Sequence, residues 1–220
     1  MSQENARRDS RAKERRNVIV LCALLALLTA AVLAAAVRPP SPEEAEENVP
    51  DYVTRDLLTV NEWSRPGDPL KKVRGVVLHY VGNPGTSARA NRNYFDSLAS
   101  GELGVYASSH FIVGLEGEVI QCVPMTEIAY ASNTRNEDTI SVEVCHPDES
   151  GEYSPASYAR AVELTAWLCR EFRLDPAEDV IRHYDVTGKL CPLYYVEHPE
   201  AWEALLRDVA AEMEAQEAAE

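Results

Sequence analysis

His183 and Cys191 stand eight residues apart in the stretch Arg-His-Tyr-Asp-Val-Thr-Gly-Lys-Leu-Cys-Pro, residues 182–192, with Lys189 between them. Asp185, Thr187 and Gly188 are turn-formers, so the stretch reads as a bent loop, where a rigid scaffold usually presents chemistry. Imidazole and thiolate together suit borderline-soft Zn²⁺. Two ligands are too few, and the best third is His79, at the end of the apolar run Val76-Val77-Leu78-His79-Tyr80. Two histidines and a cysteine would leave the fourth position of a tetrahedral zinc open, as in catalytic sites. Plainer readings stand beside this one. A histidine at a strand end is commonly a satisfied structural group, and Cys191 could be a thiol nucleophile activated by His183. The nucleophile reading leaves His79 without a role.

Glu143 is the sharpest candidate that is not a ligand. Side chains alternate along a strand, so in Ile140-Ser141-Val142-Glu143-Val144-Cys145 the carboxylate shares a face with Ser141 and Cys145. A carboxylate in mid-strand is costly to bury unpaired. It is either salt-bridged, for example to Arg182, or a general base. His110, beside Phe111-Ile112-Val113, reads as a buried, hydrogen-bonded core residue, and His146 and His198 as structural groups.

These residues resemble the zinc-dependent N-acetylmuramoyl-L-alanine amidases, which share a fold with peptidoglycan recognition proteins. The likeness rests on His79, on Ser109-His110-Phe111, on Ile140-Ser141-Val142-Glu143, and on His183…Lys189-Leu190-Cys191-Pro192, and it covers Asn61 to Leu206. It implies that His79, His183 and Cys191 hold one Zn²⁺ and that Glu143 is the general base. Lys189 would face the developing oxyanion. The implied substrate is peptidoglycan, cut at the amide between N-acetylmuramic acid and L-alanine of the stem peptide. A non-catalytic peptidoglycan receptor and a zinc peptidase acting on the stem peptide are the alternatives. Some relatives have a tyrosine where this chain has Ser109, and many have a histidine near Tyr130-Ala131-Ser132, where this chain has none. Those relatives' transition-state donors therefore do not carry over. The loop before the glutamate strand, Asn133, Thr134, Arg135 and Asn136, is a candidate for touching substrate.

Such a site needs a scaffold, and the pattern supplies α/β elements. Val73–Tyr80 reads as a strand, Ser87–Leu98 as a helix burying Tyr94, Phe95 and Leu98, and Ser109–Leu115 with Glu118–Val123 as a hairpin about Glu116-Gly117. Thr139–Cys145 is a further strand. Ser154 and Pro155 open a helix that buries Tyr158, Ala161, Val162, Leu168, Cys169 and Phe172. Val180–His183 is a short strand, and Pro199 opens a last helix with Trp202, Leu205, Leu206 and Val209. Strands mixed with helices imply a sheet covered by helices. The resemblance adds a mixed central sheet with the site at its edge.

Outside residues 61–209, the expected catalytic domain, charge decides the reading. The chain carries 21 Lys and Arg against 36 Asp and Glu. Residues 1–17 are a basic leader, and 18–37 are twenty residues without a charge. That length suits a helix across a hydrocarbon core of about 30 Å, with the N-terminus cytoplasmic and the domain on the wall side. A signal peptide cleaved at Ala34-Ala35-Ala36, giving a secreted protein, is the alternative. Residues 38–60 read as a Pro/Glu-rich extended linker and 210–220 as an acidic tail, either a solvated helix end or frayed. The net charge of −15 argues against nucleic acid as a partner. Peptidoglycan and, through the apolar run, the lipid bilayer are the expected partners, and the expected state is a monomer. Among Cys122, Cys145 and Cys169 the spacing leaves one disulfide or three free thiols equally open.

Overall fold

β-Branched and apolar runs too short for helices become strands here, and all but the first lie near where the pattern places them. The computed structural model describes residues 13, 16–17, 19–25, 28–29 and 40–219. In chain order the strands are β1 (Val53–Arg55), β2 (Val76–Tyr80), β3 (Phe111–Val113), β4 (Val119–Gln121), β5 (Ile140–Val144) and β6 (Val180–Arg182). They form one sheet in the order β1-β4-β3-β5-β2-β6. Only the β3–β4 hairpin is antiparallel, so the sheet is mixed, as expected.

Alternation along these strands makes two cores. Val76, Leu78, Phe111, Val113, Ile140, Val142 and Val144 face one, and Ile112, Ile120 and Cys145 face the other. The first is closed by α3 (Pro155–Phe172) and α7 (Pro199–Ala218), through Leu164, Leu168, Trp202, Leu205 and Val209. Ser154 caps α3 by accepting from Ser157 N at 3.0 Å, and Pro155 occupies its first turn, where a missing N–H costs nothing.

The second core is closed by α2 (Ala88–Ser97), capped by Ser87. Here one expectation fails. Tyr94 is 46 % exposed, and the buried stripe is Ala88, Asn91, Arg92 and Phe95. Those positions follow the i, i+3, i+4, i+7 rhythm, which leaves Tyr94 on the outer side. Arg92 tolerates burial because its guanidinium donates to the carbonyls of Asp56 and Leu57 and pairs with Asp56 and Asp96.

Of the two flanking segments, the first differs from expectation and the second takes one of its two expected forms, a helix end. The Pro/Glu stretch is folded against the domain rather than extended. Ser41 and Glu44 form a capping box for α1 (Pro42–Glu47), Ala45 is fully buried, and Val53–Arg55 joins the sheet. Glu46 explains how so acidic a segment docks: its carboxylate accepts from Met125 N at 2.7 Å and from Gln121 Nε2 at 2.9 Å, and pairs with Arg55. At the other end α7 runs on through the acidic stretch to Ala218, with Met213 against the core and Gln216 donating to Glu163 O. The leader and the apolar run 18–37 lie largely outside the described residues, and no described helix is long and apolar enough to cross a membrane.

Candidate active site

His79 is the penultimate residue of β2, and Glu143 the penultimate residue of β5. The two strands are parallel neighbours in a register that pairs these residues directly. Both side chains leave the sheet on the α2 side, since their neighbours Leu78, Val142 and Val144 fill the opposite core. The third strand end is β6, and His183 follows it at once. Residues 182–192 are more ordered than a bent loop: His183–Thr187 is a short helix, α5. Gly188 ends it in the left-handed conformation (φ +78°), which glycine adopts without penalty. The chain then doubles back, Tyr184 N donating to Cys191 O at 2.9 Å, and Cys191 comes to rest beside His79.

The three expected ligands therefore meet. Their donor atoms lie within 4.8 Å of one another, and all three residues are buried. His79 Nδ1 is 3.7 Å from Cys191 Sγ, and the two imidazole rings are 4.7 Å apart. A tetrahedral zinc spaces N and S donors by roughly 3.3–3.8 Å, given bond lengths near 2.0–2.3 Å. The set fits that ion in chemistry and nearly in spacing. Burial, then the charges of His183 and Lys189, hold His79 well below the usual imidazole range, and burial also lowers His183. Neutral imidazoles are the form that ligates. Burial pushes the Cys191 thiol up to about 12, with Glu143 adding to the effect. A divalent cation acts in the opposite sense and would hold the thiolate.

Glu143 Oε1 is 3.9 Å from His79 Nδ1, and Oε2 is buried without a hydrogen-bond partner among the described residues. The salt bridge to Arg182 does not form, because Arg182 is committed to Asp185 at 2.8 Å and to Tyr195 O at 2.9 Å. Burial raises the Glu143 carboxyl to about 8, with Lys189 pulling the other way. An orphaned, raised carboxyl in a cleft is the profile of an acid–base group. Lys189 is exposed and lines the same cleft, a space of about 630 Å³ that Tyr106 and Tyr130 also line.

The loop ahead of β5 divides. Asn133 lines the cleft, and its Oδ1 lies 3.1 Å from His183 Nε2. Asn136 also lines it, but its Oδ1 accepts from Ala131 N and Ser132 N, so it shapes the loop. Arg135 does not line the cleft. It turns away to pair with Asp138 at 2.7 Å, which a three-residue spacing on one turn favours. Thr134 is exposed and outside the cleft lining. Ser132 was not singled out by the sequence, yet it is buried with Oγ 3.3 Å from His79 Nε2. No local pattern marks it, since only the fold brings strand β2 to this loop.

The remaining histidines behave as structural groups. His110 is buried, accepting at Nδ1 from Ser141 N and donating from Nε2 to Glu127 O at 2.9 Å. Nδ1 of His146 bonds the Asp148 carbonyl and its ring stacks on Tyr80, while His198 packs its ring on Tyr194. Cys122, Cys145, Cys169 and Cys191 are all free.

Comparison with known proteins adds a second line. Residues 69–193 match the family model described as N-acetylmuramoyl-L-alanine amidase. The chain is 32% identical over 180 residues to N-acetylmuramoyl-L-alanine amidase BlyA of Bacillus subtilis (strain 168), covering 73% of this chain and 47% of that protein. It is 33% identical over 156 residues to N-acetylmuramoyl-L-alanine amidase CwlL of Bacillus licheniformis, covering 66% of this chain and 42% of the relative. The chain thus spans less than half the length of these curated relatives. Among solved structures it is similar to PlyL, with a TM-score of 0.61 at 22% identity over 71% of this chain and 96% of PlyL. The catalytic domain of XlyA superposes with a TM-score of 0.60 at 22% identity, over 71% and 98%. At that identity the likeness speaks for the fold.

Proposed function

From the chain's membership of the N-acetylmuramoyl-L-alanine amidase family, we propose that it hydrolyses the amide between the muramyl lactyl group and L-alanine in peptidoglycan. The observation that carries this reading is the convergence of His79, His183 and Cys191 beside an orphaned Glu143 carboxylate. The three ligands would hold Zn²⁺, which when bound supplies Lewis acidity toward the amide carbonyl and lowers the pKa of a water toward about 7.

The chain's own residues do the rest. Glu143 accepts the proton of the attacking water at its free Oε2 and later delivers a proton to the leaving amide nitrogen. Water's oxygen ends on the lactyl carbonyl carbon, the C–N bond breaks, and the nitrogen leaves as the amino terminus of L-alanine. Lys189, at the cleft mouth, supports the negative charge that grows on the carbonyl oxygen. Burial keeps competing water out of the floor formed by His79 and Cys191. The uncharged run 18–37 behind the basic leader supports a place on the outer side of a membrane. Cell fractionation with immunoblotting for size separates an anchored chain from one released after cleavage.

The test of the activity is mass analysis of digested peptidoglycan. New L-alanine amino termini with intact lactyl groups are expected. Cuts within the stem peptide, or binding without any cut, would overturn the reading.

A further inference from the structure

Two consecutive residues reach the outer nitrogens of both candidate histidine ligands. Ser132 Oγ lies 3.3 Å from His79 Nε2, and Asn133 Oδ1 lies 3.1 Å from His183 Nε2. With Nε2 engaged in both rings, each has its Nδ1 left for the metal, and Nδ1 of His79 is indeed the atom facing Cys191 Sγ. We propose that Ser132 and Asn133 are positioning residues that fix the orientation of both histidines and thereby set the affinity of the metal centre. The inference rests on the zinc reading above and deepens it.

The backbone argues that this contact is built rather than incidental. Asn133 has φ +51°, the left-handed region, which costs a residue with a Cβ and which asparagine tolerates better than most. That conformation belongs to a turn that is tied down from behind. Asn136 Oδ1 accepts from both Ala131 N and Ser132 N, Arg135 pairs with Asp138, and Thr139 Oγ1 donates to Arg135 O at 2.6 Å. The loop is thus over-determined, as strained positions must be if they are to persist. It delivers one hydroxyl and one amide oxygen to the two rings. An acceptor on the outer N–H of a ligating imidazole fixes its tautomer and ring angle and raises its basicity, and losing it costs about 10–100-fold in metal affinity.

The experiment measures zinc Kd by chelator competition, with no substrate present, for the full chain and four variants. Ser132→Ala removes the hydroxyl. Asn133→Gly removes the amide while keeping the left-handed backbone. The third variant combines both changes, and Asn133→Asp restores an acceptor. Each single loss should weaken zinc by about 10-fold, the pair by more, and Asn133→Asp should bind nearly as well as the parent. The thermal midpoint of the zinc-stripped protein should stay put in Asn133→Gly. An unchanged Kd in the double variant would overturn the proposal, as would a stripped protein that loses as much stability as the loaded one. Cys191→Ser separates the two readings. If it loses zinc while the double variant keeps it, only the positioning role fails; if it too keeps full affinity, the metal centre itself is wrong.

Discussion

His79 and Glu143 are register partners on adjacent parallel strands, with Nδ1 of one 3.9 Å from Oε1 of the other. That distance is too long for a hydrogen bond, so the carboxylate is near the proposed metal ligands without being tied to them. A base must be close enough to reach the attacking water and free enough to move its proton. For Glu143 in the proposed role of base, the pairing of β2 with β5 meets both demands.

Replacing Glu143 with Gln keeps the shape and removes the proposed base. Zinc content and peptidoglycan binding should survive, while turnover falls by roughly 10²–10⁴. Steady-state release of L-alanine termini, alongside elemental analysis, checks this. A variant at near wild-type rate would leave Glu143 as a bystander.

Cys191→Ser should lower zinc occupancy and the thermal midpoint together, because metal affinity is also folding free energy. The loss of stability should vanish when both proteins are compared after stripping with a chelator. Full zinc occupancy in the variant would dismiss Cys191 as a ligand.

His110 makes stability depend on pH. Burial lowers its pKa to about 4, against about 6.5 in the unfolded chain. Between those values the unfolded state binds the extra proton. Stability is therefore complete above about pH 6.5 and falls as pH drops toward 4, by up to about 1.4 kcal/mol per unit. Denaturant melts from pH 7 to 4.5 should show a shallower decline in His110→Gln than in the parent chain. Equal slopes would mean that His110 is not held neutral by the fold.

Glu46 should matter for stability despite lying in a stretch that looks like a spacer. Glu46→Leu leaves Met125 N and the Gln121 amide without their acceptor, at about 2–4 kcal/mol in total. Urea unfolding gives the value directly. A loss below about 0.5 kcal/mol, typical of an ordinary surface change, would mean that α1 is not docked in solution.

The contrast between Glu46 and Glu143 shows what a sequence can reveal. Glu143 was legible because a charge stands in the middle of a strand, and a carboxylate that is costly to bury invites an explanation. The convergence of His79, His183 and Cys191 was legible through ligand chemistry and the spacing of the last two. Glu46 sits among Glu43, Glu44 and Glu47, where composition argues for solvent, and its partners are 75 and 79 residues away. Ser132, and the contact of Asn133 with His183, were hidden for the same reason, since their partners lie 53 and 50 residues distant. Tyr94 was misplaced because apolar character alone was counted, and the helix phase set by Ala88 and Phe95 overrode it. Strand order was beyond pattern reading: β6 follows β5 in the chain yet lands on the far side of β2.

That last displacement bears on the order of assembly. β6 reaches its place only after α3 has crossed over the sheet, because parallel strands cannot be joined by a tight turn. His79 waits across 112 residues for Cys191, so a nascent chain that has reached β5 holds one of the three proposed ligands. If the three hold zinc as proposed, its capture would follow a finished sheet rather than seed an unfinished one. Zinc should accordingly slow the unfolding rate and leave the refolding rate nearly untouched, the signature of a contact made after the transition state.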